Sequence, residues 1–373
     1  MTATAQRFID IINTLGPSFR ERAPALDREG RFVSDNYREL REHRLLSAAI
    51  PEELGGGGAS HREMCQVLRQ LAHYCPSTAL ALSMHTHLIA AAVWRHLRGQ
   101  PGKALLLQVA KEELVLVSTG AGDWVDSVGR AERQGGGYRI SAVKRFCSGA
   151  PTGDVMLTSC PFEPEAGAAE VLHFAVPLRA QGVRLREDWD TLGMRSTGSQ
   201  SVELDGVFVP EEAVVLRRPR GVWHAFWNVV VGVAPPLYMA PYVGIAEAAA
   251  ELARGAALRK PLDAAGTIGL GEVENQLVAT QLAWREMLAL TDDYAFQPSN
   301  EHTSRMLICK TLVANAARAT VAKAVELVGG GAYFRANGLE RLMRDVEAAS
   351  FHLLPEKKQL TLSGRVALGL PPV

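Results

Sequence analysis

The strongest constraint on this 373-residue chain is a hydrophobic period that changes twice along its length. Up to about residue 113, apolar side chains recur every three or four positions, as in Met64, Val67, Leu68 and Leu71, which is the spacing of one helix face. Pro51 and Gly55 to Gly58 mark the sharpest turn there. The stretch 76–97 is so continuously apolar that its helix must be buried on most sides, and it carries His85 and His87. From about 114 the pattern shortens to VLVST, GYRIS, VMLTSC, VLHFAVPL and SVELDGVFVP, bounded by Gly, Pro, Asp and Ser. With no long helical pattern between them, these segments predict an antiparallel sheet or small barrel. From about 222 helical spacing returns in Ala-rich segments at 242–258, 272–294 and 301–328, the composition of close helix packing in an antiparallel bundle. The expected architecture is α+β in three domains, at 1–113, 114–220 and 221–373.

Charge excludes several functions. Lys and Arg total 40, as do Asp and Glu, so no net field recruits nucleic acid or anionic lipid, and Arg217, Arg218 and Arg220 read as a solvated linker. Residues 225–246 carry no charge and are long enough to span a bilayer. Pro235, Pro236 and Pro241 each remove a backbone donor, however, and no basic anchor flanks the stretch, which reads as a buried helix after an irregular turn. Cys65, Cys75, Cys147, Cys160 and Cys309 are odd in number and unpaired in spacing, so neither a metal site nor a redox dithiol is expected. Free thiols and an N-terminus without an export pattern suit the cytoplasm.

Four spaced blocks carry a family likeness. IPEELGGGGAS at 50–60 resembles the Pro-acid-acid-x-Gly-Gly turn of acyl-CoA dehydrogenases. GYRISAVKRFCSGAPTGDVML resembles their Gly-Tyr-x-Leu-x-Gly-x-Lys-x-Phe-x-Ser hairpin, DTLGMRSTGSQSVELDGVFVP their Gly-Met-Arg-x-x-x-Ser strand pair, and VELVGGGAYFRANGLERLMRD their late Glu-Arg-x-x-Arg-Asp helix pair. The blocks occur in family order across essentially the whole chain. The resemblance implies the acyl-CoA dehydrogenase fold: an N-terminal helical domain, a central antiparallel β domain and a C-terminal four-helix bundle. It also implies a flavin, FAD or FMN, at their junction, and a homodimer or homotetramer.

An isoalloxazine ring needs an apolar slot with a few polar groups around its edge. The resemblance puts Phe146 over the ring and the Ser148 hydroxyl near the nitrogen that exchanges hydride, where a hydrogen bond tunes the cofactor. Arg195 and Ser199 match a strand pair near it. Arg259 sits near the position of a pyrophosphate-binding arginine from a neighbouring subunit. Gly329 and Gly330, with Gly331, match the glycine turn that lets backbone approach the phosphates.

A dehydrogenase of this family removes a proton beside a thioester carbonyl, which requires a positioned carboxylate. Its Glu follows the Arg-Asp motif by eight residues and begins Glu-Gly-Thr; here that place holds Leu353, then Leu354 and Pro355. The other family position for the base, on the first C-terminal helix, falls within the acid-free 225–246 stretch, and Glu247 lies past it. His352 and His85 stand where the flavin-dependent monooxygenase branch, which includes dibenzothiophene monooxygenase, places histidines, alongside the hydroxyl of Ser148. Imidazole moves protons near neutral pH, as oxygen chemistry on reduced flavin requires. His87 is rotated about 200° from His85 and reads as structural.

The leading expectation is therefore a reduced-flavin, oxygen-using monooxygenase on a small organic substrate, served by a flavin reductase, with His85, His352 and Ser148 catalytic. An acyl-CoA or acyl-carrier dehydrogenase with an unrecognised base and a non-catalytic scaffold are the alternatives. The lost Gly-Thr and the acidic Glu326 near the phosphates predict weak dinucleotide anchoring and an exchangeable flavin.

Overall fold

The computed structural model describes residues 2–120, 123, 125–259 and 264–373. Five helices come first: α1 (Ala3–Glu29), α2 (Ser34–Glu42), α3 (His61–Ala72), α4 (Pro76–His96) and α5 (Lys103–Glu112). The start of α3 is fixed by a reciprocal cap: the Ser60 hydroxyl accepts from the Glu63 amide and the Glu63 carboxylate accepts from the Ser60 amide. Pro76 opens α4, where its missing N–H costs nothing. As its composition predicts, α4 is buried on nearly every side.

The middle of the chain forms one sheet from β1 (Leu116–Ser118), β2 (Arg130–Gln134), β3 (Gly137–Lys144), β4 (Val155–Phe162), β5 (Glu170–Pro177), β6 (Val183–Leu185), β7 (Val202–Pro210) and β8 (Val214–Pro219). The order is β6-β7-β3-β2-β4-β5-β8, with β1 added beside β4. Pairing is mostly antiparallel; β1–β4 and the short β2–β4 contact are parallel. Alternation sets the register, since Tyr138, Ile140 and Ala142 of β3 stand opposite Val209, Val207 and Leu204 of β7, all buried on one face.

The helices α6 (Phe226–Ala257), α7 (Ala264–Thr291), α8 (Asn300–Val328), α9 (Leu339–Val346) and α10 (Glu356–Ala367) complete the chain. The long α6 lies between α3 and α4 on one side and α7 and α8 on the other. It agrees with expectation in being a buried helix after an irregular turn, at 220–225, and it runs unbroken from Phe226 through all three prolines. Neighbouring side chains bond carbonyls along this stretch, one of them left open by a proline. Pro236 has no N–H for the Gly232 carbonyl four residues back, and the Thr291 hydroxyl donates to it at 2.7 Å. His61 Nε2 donates to the Val233 carbonyl at 2.7 Å and Trp284 Nε1 to the Pro236 carbonyl at 3.0 Å. The helix is long and apolar enough to cross a membrane, yet its most apolar window is 100% buried inside the protein, so it is a core helix.

Two of the family blocks meet in space. A Cβ on Gly193 would lie 2.1 Å from the Arg344 carbonyl, so only glycine lets the loop before β7 approach α9 this closely. Across the same contact the Met194 amide donates to the Asp345 carboxylate at 2.5 Å, and the Arg344 guanidinium donates to Asp27 of α1 at 2.7 Å. One junction thus ties the first helix, the sheet domain and the last helices together.

Candidate active site

That junction borders a cleft of about 410 Å³ to which every layer contributes. α4 supplies Leu80, Met84 and His87, which share one helix stripe at spacings of four and three. The end of β1 supplies Ser118, Thr119 and Gly120; the turn after β3 supplies Phe146 and Ser148; α6 supplies Ala234 and Tyr238. The segment after α9 closes the cleft with Glu347, Phe351, His352 and Leu353.

The walls are apolar and the edge carries hydroxyls. Phe146, 62% exposed, meets Trp189 edge to face with ring centroids 6.2 Å apart. Its backbone is left-handed, at φ 60°, which turns the ring out of the hairpin. Ser148 Oγ shares a hydrogen bond with Ser199 Oγ at 2.7 Å; Ser199 shares another with Thr197 at 2.7 Å, and Thr197 donates to the Met194 carbonyl at 2.9 Å. A Cβ at Gly120 would stand 3.0 Å from the Phe146 ring and 3.2 Å from the Arg145 carbonyl, so a bare backbone edge borders the slot. A flat aromatic slot with a hydroxyl chain along its polar edge fits an isoalloxazine ring.

Buried charge anchors the loop that forms this edge. Lys144 Nζ lies 2.9 Å from Asp123 and 2.8 Å from the Val128 carbonyl, with no exposed surface. The Arg218 guanidinium donates to the Asp123 and Val125 carbonyls at 2.8 and 2.6 Å. Thr119, on the cleft wall, donates to the Asp123 carboxylate.

At the inner end the two histidines of α4 exchange their expected roles. His85 is 1% exposed and both its nitrogens are committed to backbone: Nδ1 accepts from the Leu116 amide at 2.9 Å, and Nε2 donates to the Leu46 carbonyl at 2.8 Å. It fastens α4 to β1 and does not line the cleft. His87 does line it, and its Nδ1 is buried without a hydrogen-bond partner. Burial holds both rings down at about 4, and therefore neutral. Which stripe of α4 faces the cleft was not legible, because a helix buried all round has no amphipathic asymmetry to read.

His352 lies in the cleft as expected, stacked on Tyr238 at 5.3 Å between centroids and joined through Nε2 to the Tyr242 hydroxyl at 2.5 Å. Burial pushes its ring down to about 3, and the Lys310 ammonium and His87 push in the same direction. Glu347 is the only carboxylate lining the cleft among the described residues, and Arg318 holds it at 2.8 Å. Glu247 is outside, bound by Arg69 at 2.6 Å, His73 at 3.0 Å and Gln281 at 2.7 Å. Arg195 also faces away, donating to the Asp27 and Thr191 carbonyls at 2.8 and 2.7 Å and to Asp190 at 2.7 Å.

The residues expected at the phosphate end do not join the cleft. Arg259 is exposed just beyond α6. Gly329 ends α8 with φ 70°, and a Cβ on Gly329 or Gly330 would meet nothing within 4 Å.

Three domain models match the chain: acyl-CoA dehydrogenase N-terminal domain over residues 15–113, middle domain over 120–207 and C-terminal domain over 237–356. An amino sugar nitrososynthase from Streptomyces peucetius is 29% identical, with 94% of this chain and 90% of the relative aligned. A dibenzothiophene monooxygenase from Mycolicibacterium goodii is 26% identical over 94% of this chain and 92% of its own. The solved structure of KijD3 in complex with FMN and a dTDP-linked amino-keto sugar superposes with TM-score 0.90 at 25% identity, covering 99% of this chain and 95% of that one. The matched domains, the shared topology and the aromatic slot at the three-way junction agree: this chain belongs to the acyl-CoA dehydrogenase superfamily and is a flavin-dependent oxidoreductase within it.

Proposed function

We propose that the chain is a monooxygenase that uses reduced flavin and O2 to oxidise a small organic substrate. One observation carries this reading: the inner end of the cleft offers two neutral imidazoles, His87 and His352, while the one carboxylate lining it among the described residues, Glu347, is held by Arg318. Removing a proton beside a thioester needs a free carboxylate over the substrate, and oxygen transfer needs proton donors and acceptors in a dry pocket. The similarity to a nitrososynthase and a dibenzothiophene monooxygenase supports the same choice.

Bound in the slot, reduced flavin would supply the electron pair for O2 chemistry that leaves one oxygen atom on the substrate and releases the other as water. Phe146 and Trp189 bound the slot for its ring. Ser148, backed by Ser199 and Thr197, presents a hydroxyl to the ring edge. His87 and His352 manage protons at the substrate end, and Leu80, Met84 and Leu353 exclude water. His87 takes the place that spacing suggested for His85.

Arg259, Gly329 and Gly330 lie away from the slot, which supports an exchangeable flavin, FMN or FAD, whose far end is weakly held or completed by another copy. Exposed Leu258, just past α6, and Ile268 and Leu282 on α7 offer apolar surface for a homodimer or homotetramer. A separate flavin reductase would deliver the reduced cofactor, in the cytoplasm.

The test combines the purified chain with flavin, NADH, a flavin reductase, 18O2 and a panel of amines, thioethers and phenols. A product carrying one 18O atom supports the proposal. Anaerobic bleaching of bound flavin by an acyl thioester, with no labelled product from any panel member, would replace it with the dehydrogenase reading.

A further inference from the structure

His352 can act on the cleft as a hydrogen-bond donor or as an acceptor, and its buried surroundings decide which. The ring lines the cleft, and Nε2 is engaged by the Tyr242 hydroxyl behind it. Nδ1 has no protein partner among the described residues, so it is the nitrogen left for a bound molecule. Tyr242 is fully buried, and its hydroxyl makes no other hydrogen bond among the described residues. Two arrangements are open. If imidazole Nε2–H donated to the phenol oxygen, the phenol proton would be buried with no acceptor, a loss of about 1–3 kcal/mol. If the phenol O–H donates, both atoms are satisfied, the phenol oxygen lacking only a second, cheaper contact.

We propose that Tyr242 is a positioning residue that donates to Nε2 of His352 and thereby fixes the ring in the tautomer that points Nδ1–H into the cleft. His352 then serves as a donor to an oxygen atom bound beside it, and the acceptor's part falls to His87. This deepens the role given to His352 in the proposed function and rests on that reading.

The segment carrying His352 is held on both sides of the ring. The Tyr238 hydroxyl donates to the Leu353 carbonyl at 2.8 Å while its ring stacks on the imidazole. Lys310 of α8, 1% exposed, donates to the Leu354 carbonyl at 3.3 Å. The titratable groups around the pair are Tyr238 and Tyr242 of α6, His87 of α4, Lys310 of α8 and, acting on Tyr242, Asp345 of α9. The Lys310 ammonium opposes a second proton on the ring. A neutral imidazole has only two tautomers, and the phenol selects between them.

The direct test reads the tautomer without turnover. Nitrogen-15 spectra of the full-length, flavin-free protein labelled at histidine, with His352→Asn to identify the signals, should show a neutral His352 protonated at Nδ1 near pH 7.5. In Tyr242→Phe that pattern should give way to the Nε2–H form or to a mixture. Protonation at Nε2 in the unaltered protein, a charged ring, or an unchanged Nδ1–H pattern in Tyr242→Phe would each overturn the inference.

A second comparison uses side-chain geometry. Asn carries its amide N–H close to the position of imidazole Nδ1, whereas Gln carries it near Nε2. His352→Asn should therefore retain about tenfold more turnover than His352→Gln. Equal losses would remove the donor assignment. If no oxygenated product forms with any substrate while the nitrogen spectra behave as described, the proposed function fails and the tautomer assignment stands.

Discussion

The two ends of the proposed flavin path are built differently. At the ring end, Phe146, Trp189, Ser148 and the edge at Gly120 are held by buried hydrogen bonds, the Lys144–Asp123 pair and the contact of Gly193 with α9. At the far end, Arg259 is exposed and Gly329 and Gly330 face open space. Chemistry needs fixed geometry where electrons and protons move, because small displacements there cost rate. Anchoring a phosphate tail needs only affinity, which a second copy or a smaller flavin can supply. The contrast implies that changes at the ring end alter reaction and fold, while changes at the far end alter occupancy alone.

The sharpest break in that contrast would come from His352→Ala. Turnover should fall about 10²- to 10⁴-fold, with a loss of about 1–3 kcal/mol of stability because the buried Tyr242 hydroxyl loses its acceptor; steady-state product formation beside an unfolding curve checks this, and normal turnover would remove His352 from the chemistry. Next in size is Asp123→Ala, which leaves the Lys144 ammonium buried and unpaired and should cost about 3–5 kcal/mol of stability, read by denaturant unfolding. A loss under 1 kcal/mol would mean that the loop is not anchored by this pair.

The two histidines of α4 separate fold from function within one helix turn. His85→Ala strips the Leu46 carbonyl and the Leu116 amide of their partner and should destabilise by about 1–3 kcal/mol while folded molecules still turn over. His87→Ala should reverse this, lowering turnover at nearly unchanged stability. Equal behaviour of the two variants would erase the distinction.

Acid should act on the same end. His85 and His87 titrate at about 4 and His352 at about 3, all below the usual 6.5 because of burial. Between those values the unfolded chain binds protons that the folded one refuses. Their contribution to stability is therefore complete above pH 6.5 and declines as pH drops toward 4, which unfolding curves at stepped pH would trace. Flat stability across that window would contradict burial of these rings. The smallest effect belongs to the far end: Arg259→Ala and Gly330→Ala should change FMN affinity less than about twofold, since neither touches the slot. A large loss of FMN binding would join the two ends into one site.

Much of this was legible in the residues. The twofold change of hydrophobic period announced helices, sheet and helices, because burial on one face imposes a period of 3.6 or 2 whatever surrounds it. Phe146 and Ser148 could be placed at the cleft because they sit inside a recognisable block, and His352 because it follows the Asp345 that ends another by seven residues. Spacing favours His85 over His87, against the fold, because α4 is apolar on all sides and nothing in its pattern says which stripe faces empty space. The straight run of α6 through Pro235, Pro236 and Pro241 was equally hidden, since Thr291, His61 and Trp284 satisfy its carbonyls from helices distant in sequence. Tyr238, Tyr242 and Lys310 carried no motif at all.

Local pattern thus determined the kinds of element, their order and the family likeness, because those depend on periodicity and short-range spacing within the chain. Which imidazole faces the cleft, which nitrogen it offers and whether a carboxylate is free to act as base depend on partners far away along the chain. Only the folded protein decides these, because a hydrogen bond or an ion pair exists only once tertiary packing brings its two ends together.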